Sequence, residues 1–247
     1  MRQYRSFAYK GASFRIACPR FERLVQEVRR QRSLLEAYLR RQPEFLTALQ
    51  PLQPLADAPE VVRRMAAAAE AAGVGPMAAV AGAMAQMAAE AALAEGAEEA
   101  IVENGGDIYL VSPEPVWVGL YAGEHPLSGV LALEVRPEEM PLAVCSSSSR
   151  LGHSLSFGDC DLATVAAPDA ALADAAATLA GNLVKSEADL TGALERVASI
   201  PGIRGLLLVK DAKVGLAGRL PRLVRHGDRG FPAKITRDPA SGVAVPY

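Results

Sequence analysis

The chain has 247 residues, enough for one large domain or two small ones, either with a substantial core. Its formal charge is −2, half of its residues are hydrophobic and only 5% are aromatic, so there is no basic excess to draw a nucleic acid. Residues 1–20 lack an apolar core of signal-peptide length, and no stretch has the length and hydrophobicity of a membrane span; the Ala-rich run after Pro76 is broken by Gln86 and Glu90.

Arg5 to Ala17 alternates loosely, with Phe7, Tyr9, Phe14 and Ile16, and predicts two short strands turning at Lys10-Gly11-Ala12. Phe21 to Arg41 predicts a helix with a broken apolar stripe at Leu24, Val28, Leu35 and Leu39. Its arginines interleave with Glu22, Glu27 and Glu36, the pattern of a solvated face. Phe45 to Leu49 reads as a helical turn before the proline-bearing linker Pro51 to Pro59, and Glu60 to Ala72 as an Ala-rich helix ending at Gly73. After Pro76 a further Ala/Met helix with Gly82 inside it runs to about Glu95. Strands follow at Ala100–Val102, Ile108–Val111, Val116–Tyr121, Val130–Val135 and Asp161–Ala166. Pro168 opens a helix to about Lys185, Leu190 to Ala198 is another, and Gly205 to Lys210 is a late strand. From Arg219 the sequence loses its period, which predicts an irregular tail or arm over residues 219–247 behind a single domain over 1–218. Periodicity alone gives mixed α and β.

Three polar stretches are candidates for chemistry. Glu103-Asn104-Gly105-Gly106-Asp107 lies between two apolar strands. It reads either as an ordinary hairpin turn with solvated acids or as bare backbone flanked by carboxylates, open to a ligand. The helix after Pro168 carries Asp174, Thr178 and Asn182 four residues apart on one face of an otherwise Ala/Leu surface. That stripe is either the helix's one wet edge or a line of buried groups in need of partners. Cys145 to Asp159 holds a serine run including Ser147 and Ser148, then Gly152, His153 and Ser154. Its amides and hydroxyls suit a phosphate or a polar ring edge. His153 is placed either as a donor or acid, the candidate catalytic residue, or as a structural histidine. Cys145 reads as a buried small residue. The cysteines (Cys18, Cys145, Cys160) form no CxxC pair, a usage that fits a reducing cytoplasm.

GPMAAVAGAMA followed by VENGGDIY, and later GHSLSFGDCD, resemble the uncharacterised family UPF0280, also called DUF375. More remotely they resemble the ApbE family of FAD:protein FMN transferases. The resemblance implies an α+β fold: a duplicated T-fold-like architecture of antiparallel sheets and helices, with a ligand cleft between two halves. It also implies a role for Ala173-Asp174-Ala-Ala-Ala-Thr178, which is similar to the ApbE Ala-Asp-x-x-x-Thr motif. There Asp and Thr bind Mg²⁺, with a backbone carbonyl whose counterpart here is Val80. Mg²⁺ suits hard oxygen donors. Two departures stand out. Ala81 stands where ApbE proteins carry a lysine before the helix glycine. His153 is followed by Ser154-Leu155-Ser156-Phe157-Gly158 rather than by two apolar residues, Asp-Pro and Thr-Gly.

Three functions follow as expectations. One is a Mg²⁺-dependent protein related to FMN transfer, binding FAD or FMN. Another is a non-catalytic binder of a flavin-, purine- or pterin-like heterocycle, held by Glu103, Asn104 and Asp107. The last is an assembly protein whose small-residue helices pack a homo-oligomer. All three expect a cytoplasmic chain without nucleic-acid or membrane partners.

Overall fold

The computed structural model describes residues 2–123, 125–148 and 158–225. Arg5–Tyr9 (β1) and Ala12–Ala17 (β2) form a hairpin whose turn residues Lys10 and Gly11 both have positive φ (47° and 81°), which suits a right-twisted two-residue turn. Helices Phe21–Leu39 (α1), Glu44–Thr47 (α2), Glu60–Ala72 (α3) and Val80–Leu93 (α4) follow. A second hairpin, Ala100–Asn104 (β3) and Asp107–Val111 (β4), comes next.

The chain then leaves this layer for Val116–Gly119 (β5) and Leu131–Val135 (β6). It returns with Leu142–Ser147 (β7) and Leu162–Ala167 (β8), then helices Ala170–Leu183 (α5) and Leu190–Ala198 (α6). Gly205–Lys210 (β9) and Lys213–Gly218 (β10) form the last hairpin of the main sheet, and Arg222–Arg225 (β11) pairs with β6.

The main sheet has eight strands in the order β1-β2-β3-β4-β7-β8-β9-β10, every pair antiparallel. Two strands, a helical segment and two more strands occur twice, and the two sets join at β4–β7. The fold is thus the α+β, antiparallel, twofold arrangement that the resemblance implies.

Strand alternation sorts the side chains between two cores. Val102, Tyr109, Cys145, Val165 and Leu208 pack toward the helices, whereas Ile101, Leu110, Val144, Leu162 and Leu207 face the small sheet β11-β6-β5.

Several boundaries differ from the sequence reading. The helix after Pro76 starts as a 3₁₀ turn, Pro76–Ala79, and becomes α-helical at Val80. The helix after Pro168 starts at Ala170, because the Asp169 side chain caps it by accepting from the Leu172 amide at 2.8 Å. Strands β7 and β10 are additional; β7 runs into the serine stretch, and the β10 sequence KVGLAG carries two glycines and little β signal. Within the expected tail, Arg222–Arg225 is a strand, because its backbone completes the edge of β6. Among the described residues no single helix is long and apolar enough to cross a membrane.

Candidate functional site

The site is built where α4 crosses α5. A Cβ placed on Gly82 would lie 2.1 Å from the Ala170 carbonyl oxygen and 2.9 Å from the Asp174 Cβ. Only glycine lets the two helices approach to backbone contact at this point. The crossing brings Asp174 Oδ2 to 2.9 Å from the Gly82 amide, which donates to it. Gly82 is the third residue of α4, and the first amides of a helix have no partner inside it. Asp174 therefore caps α4 from a different helix. Beside it, Asn104 Nδ2 donates to the Ala81 carbonyl at 3.2 Å.

The hairpin β3–β4 supplies the floor. Asn104 and Asp107 are its last cross-strand pair, joined by Gly105-Gly106, with Gly105 at φ 66°. The expected five-residue loop is thus a two-residue turn, and Asn104 is a strand residue. Asp107 lies opposite Cys145 on β7, and the Cys145 thiol points at the Ala170 carbonyl, 3.6 Å away. Asp107 is only 8% exposed, and its Oδ1 has no hydrogen-bond partner among the described residues.

Burial pushes the Asp107 carboxyl up to about 7, opposed by the Cys145 thiol and the Ser146 amide. Burial raises Asp174 as well, with the Asp107 charge adding to it and the amides of Gly82 and Ala81 opposing it. Part of Asp174 reaches solvent, which tempers the size of that shift but not its direction. Burial and the same two carboxylates raise the Cys145 thiol well above its usual range. No lysine, arginine or histidine among the described residues forms an ion pair with either aspartate.

The remaining candidates divide. Thr178 lies one turn beyond Asp174 on α5 and is half-buried. Val80 is the first residue of α4, so its carbonyl starts that helix's own ladder; the carbonyl tied to the cluster is Ala81's. Glu103 is not brought in. Strand alternation turns it to the opposite face, where it pairs with Arg15 at 3.6 Å.

Gly106 touches the serine run: the Ser146 amide donates to its carbonyl at 3.1 Å, and a Cβ on Gly106 would lie 2.9 Å from the Ser146 carbonyl. Ser147 reaches α5, its Oγ 3.4 Å from where a Gly181 Cβ would be, and Ser148 is buried. Gly152, His153 and Ser154 lie outside the described residues. Asp159 is turned elsewhere, its carboxylate paired with Lys210 at 2.9 Å and its amide donating to the Val184 carbonyl at 2.8 Å.

A groove of about 560 Å³ lies away from this cluster, lined by Glu27, Gln31, Glu60, Met87 and Glu90 among others. Its charges are already matched, Glu27 by Arg23 and Arg30, and Glu60 and Glu90 by Arg64.

Asp174 and Asp107, whose Oδ1 has no partner among the described residues, bring hard carboxylate oxygens to the α4–α5 crossing, with Thr178 one turn further along α5. That chemistry fits Mg²⁺. No three His, Cys, Asp or Glu side chains among the described residues converge to hold a metal unaided. A cation here would draw on Thr178 and on oxygens of water or ligand, as Mg²⁺ commonly does.

Comparison with known proteins places this geometry. The profile of the family described as AbpE bacteria matches residues 17–199. A UPF0280 protein from Methanocella arvoryzae is 50% identical over 201 residues, 81% of this chain and 82% of that one. Another from Methanocaldococcus jannaschii is 41% identical over 214 residues, 85% of this chain and 86% of its own. Among solved structures, a variant of flavin transferase ApbE from Vibrio cholerae has a TM-score of 0.54 at 13% identity, covering 96% of this chain and all of that one. The ApbE protein from Thermotoga maritima has a TM-score of 0.52 at 15% identity, covering 95% and 100%. These two likenesses show the fold. With the sequence matches they carry one conclusion: the chain belongs to the UPF0280 family and has an ApbE-like fold.

Proposed function

We propose that the α4–α5 crossing binds a flavin nucleotide with Mg²⁺, the cation held by Asp174 and Thr178 beside the N-terminus of α4. One observation carries the reading. The Gly82 amide fixes one oxygen of the Asp174 carboxylate, and no basic side chain among the described residues pairs with the other. A half-buried carboxylate oriented by backbone but left without a counter-charge suits a cation. Bound there, Mg²⁺ would offset the charge of a pyrophosphate.

The protein's own groups do the rest. Asn104 fixes the Ala81 carbonyl. The Gly105-Gly106 turn presents backbone without side chains, the Ser146 amide donates to the Gly106 carbonyl, and the Ser147 hydroxyl faces α5. The flavin part of the reading is supported by the ApbE-like fold, since the Vibrio cholerae protein of that fold is called a flavin transferase. Ala81, where the ApbE pattern has a lysine, weighs against the same transfer reaction and toward binding.

Titration calorimetry with FAD, FMN and ADP, with and without Mg²⁺, tests this. At least one nucleotide should bind more tightly with Mg²⁺, and Asp174→Ala should abolish that gain in a folded protein. Full enhancement in Asp174→Ala would refute the assignment. Chromatography of FAD incubated with protein and Mg²⁺ then separates a binder from an enzyme, since only the latter releases FMN or AMP.

A second reading has its own support in the 2.9 Å contact from Gly82: Asp174 serves only to cap α4. In that case Asp174→Asn, which keeps an acceptor oxygen, should preserve every binding property of the wild type.

A further inference from the structure

We propose that Asp107 is a second carboxylate of the cation site at Asp174, and that with it the protein holds a hard divalent cation before any nucleotide arrives. The inference rests on the cation site just described and departs from the heterocycle contact that the sequence suggests for Asp107.

The geometry supports it in steps. Alternation along β4 sends Asp107 to the helix side of the sheet, with Tyr109, while Ile108 and Leu110 face the other core. Directly across the ladder is Cys145, whose thiol reaches the Ala170 carbonyl. Ala170 is one turn before Asp174 on α5, and the same carbonyl closes on Gly82, whose amide holds Asp174. Pairwise contacts thus link Asp107 through Cys145 and Ala170 to Gly82 and Asp174 at the crossing.

Asp107 is more than nine-tenths buried, and its Oδ1 has no hydrogen-bond partner among the described residues. An acceptor left unpaired in the interior is costly, and a carboxylate more so than a neutral group. Two carboxylates near enough to oppose each other's charge, with no basic side chain among the described residues beside them, have two stable arrangements: they hold protons or they share a cation. The half-exposed Asp174 and Thr178 leave the crossing open to water on one side, so an ion has a way in.

The chemistry specifies the ion. The donors are carboxylate and hydroxyl oxygens, which suit Mg²⁺ and Mn²⁺ better than a soft metal. The Cys145 thiol is buried and directed at the Ala170 carbonyl, so sulfur is not expected among the ligands.

Mn²⁺ is the probe, followed by loss of the free-ion electron paramagnetic resonance signal at fixed neutral pH, without nucleotide. The wild type should bind one Mn²⁺, which Mg²⁺ displaces. Asp107→Asn, close in shape and uncharged, should weaken binding by about ten-fold or more, and Asp174→Asn should do the same. Wild-type affinity in a folded Asp107→Asn protein would overturn the inference. If that variant fails to fold, carboxyl-¹³C-labelled wild-type protein replaces it: substoichiometric Mn²⁺ should broaden the resonances of two buried aspartates, and broadening of one alone overturns the proposal.

The two readings fail separately. Mn²⁺ bound only with flavin, and lost in Asp174→Asn but not in Asp107→Asn, overturns the role of Asp107 and leaves the flavin–cation reading standing. Mn²⁺ held by both aspartates, with no nucleotide bound more tightly in its presence, supports the two-carboxylate site and overturns the flavin reading.

Discussion

The Gly82 amide donates to the Asp174 carboxylate at 2.9 Å although 92 residues separate them. The contact exists because Gly82 has no side chain and α5 presents Ala170 and Asp174 to it one turn apart. A helix crossing at backbone distance and a buried acid are thus the same feature. Its first consequence concerns packing.

Gly82→Ala should destabilise the protein. Alanine favours a helix over glycine by about 1 kcal/mol. The new Cβ would lie 2.1 Å from a backbone carbonyl, and overpacking of this kind costs about 1–3 kcal/mol. Gly192→Ala is the matched control, because a Cβ there meets nothing within 4 Å in α6. It should stabilise by about 0.5–1 kcal/mol. Thermal melts of the two variants should move in opposite directions.

Asp107 sets a pH dependence. Its carboxyl titrates at about 7 in the fold, against 3.8 for an ordinary aspartate. A raised pKa means that the folded state holds the proton more tightly, so this contribution is full below about pH 4. It is lost as pH rises toward 7 and beyond. Asp174 on α5 shifts the same way, and the Cys145 thiol faces both. In metal-free protein, Asp107→Asn should gain stability relative to wild type between pH 5 and about 8. A stability difference that stays flat across that range would show that Asp107 is not buried as described.

The cysteines should be inert. Cys145 and Cys160 are fully buried, and burial raises both thiols, Cys160 to about 11. Cys18 is half-buried and its thiol is raised as well. Because the thiolate is the reactive form, iodoacetamide at pH 8 should label native protein slowly and denatured protein at all three positions. Rapid labelling of native Cys145, read by peptide mass spectrometry, would contradict the packing of β7 against α5.

Glu27 on α1 is only 4% exposed and holds Gln31, Arg23 and Arg30 together. Burial works against its charge, but these partners prevail and lower its carboxyl. Glu27→Ala should cost about 1–3 kcal/mol near neutral pH, because it strands the Gln31 amide. A denaturant midpoint equal to that of the wild type would count against this.

Much of the fold was legible because the local signals are strong. Lys10-Gly11 marked the first hairpin, Gly73 and Gly96 the helix ends, and the Ala/Leu run after Pro168 a buried helix. The missing strands lacked such signals: β7 ends in serines, β10 has exposed Val214 and Leu216 on either side of Gly215, and β11 is defined by the β6 edge it pairs with. For the site, four-residue spacing put Asp174 and Thr178 on one face, and a glycine inside an alanine helix pointed to a close approach. Spacing did not show what approaches. That Gly82 meets Asp174, and that Glu103 and Asn104 part to opposite faces, depends on where the strands β3 and β4 begin. Polar Glu103, Asn104 and Asp107 set the apolar strand segments too short, so the strands run on to a two-residue turn at Gly105-Gly106.

The join at β4–β7 has a dynamic consequence. Gly82, Asn104 and Asp107 come from before the join, and Cys145, Asp174 and Thr178 from after it. An occupant gripped from both sides acts as a rivet between the two sets of strands. Ligation should therefore slow hydrogen exchange most at the amides of Ile108 to Leu110 and Leu142 to Val144, which zip the two sets together. The outer hairpins β1–β2 and β9–β10 would keep their own exchange rates, so the protein would stiffen from its middle outward.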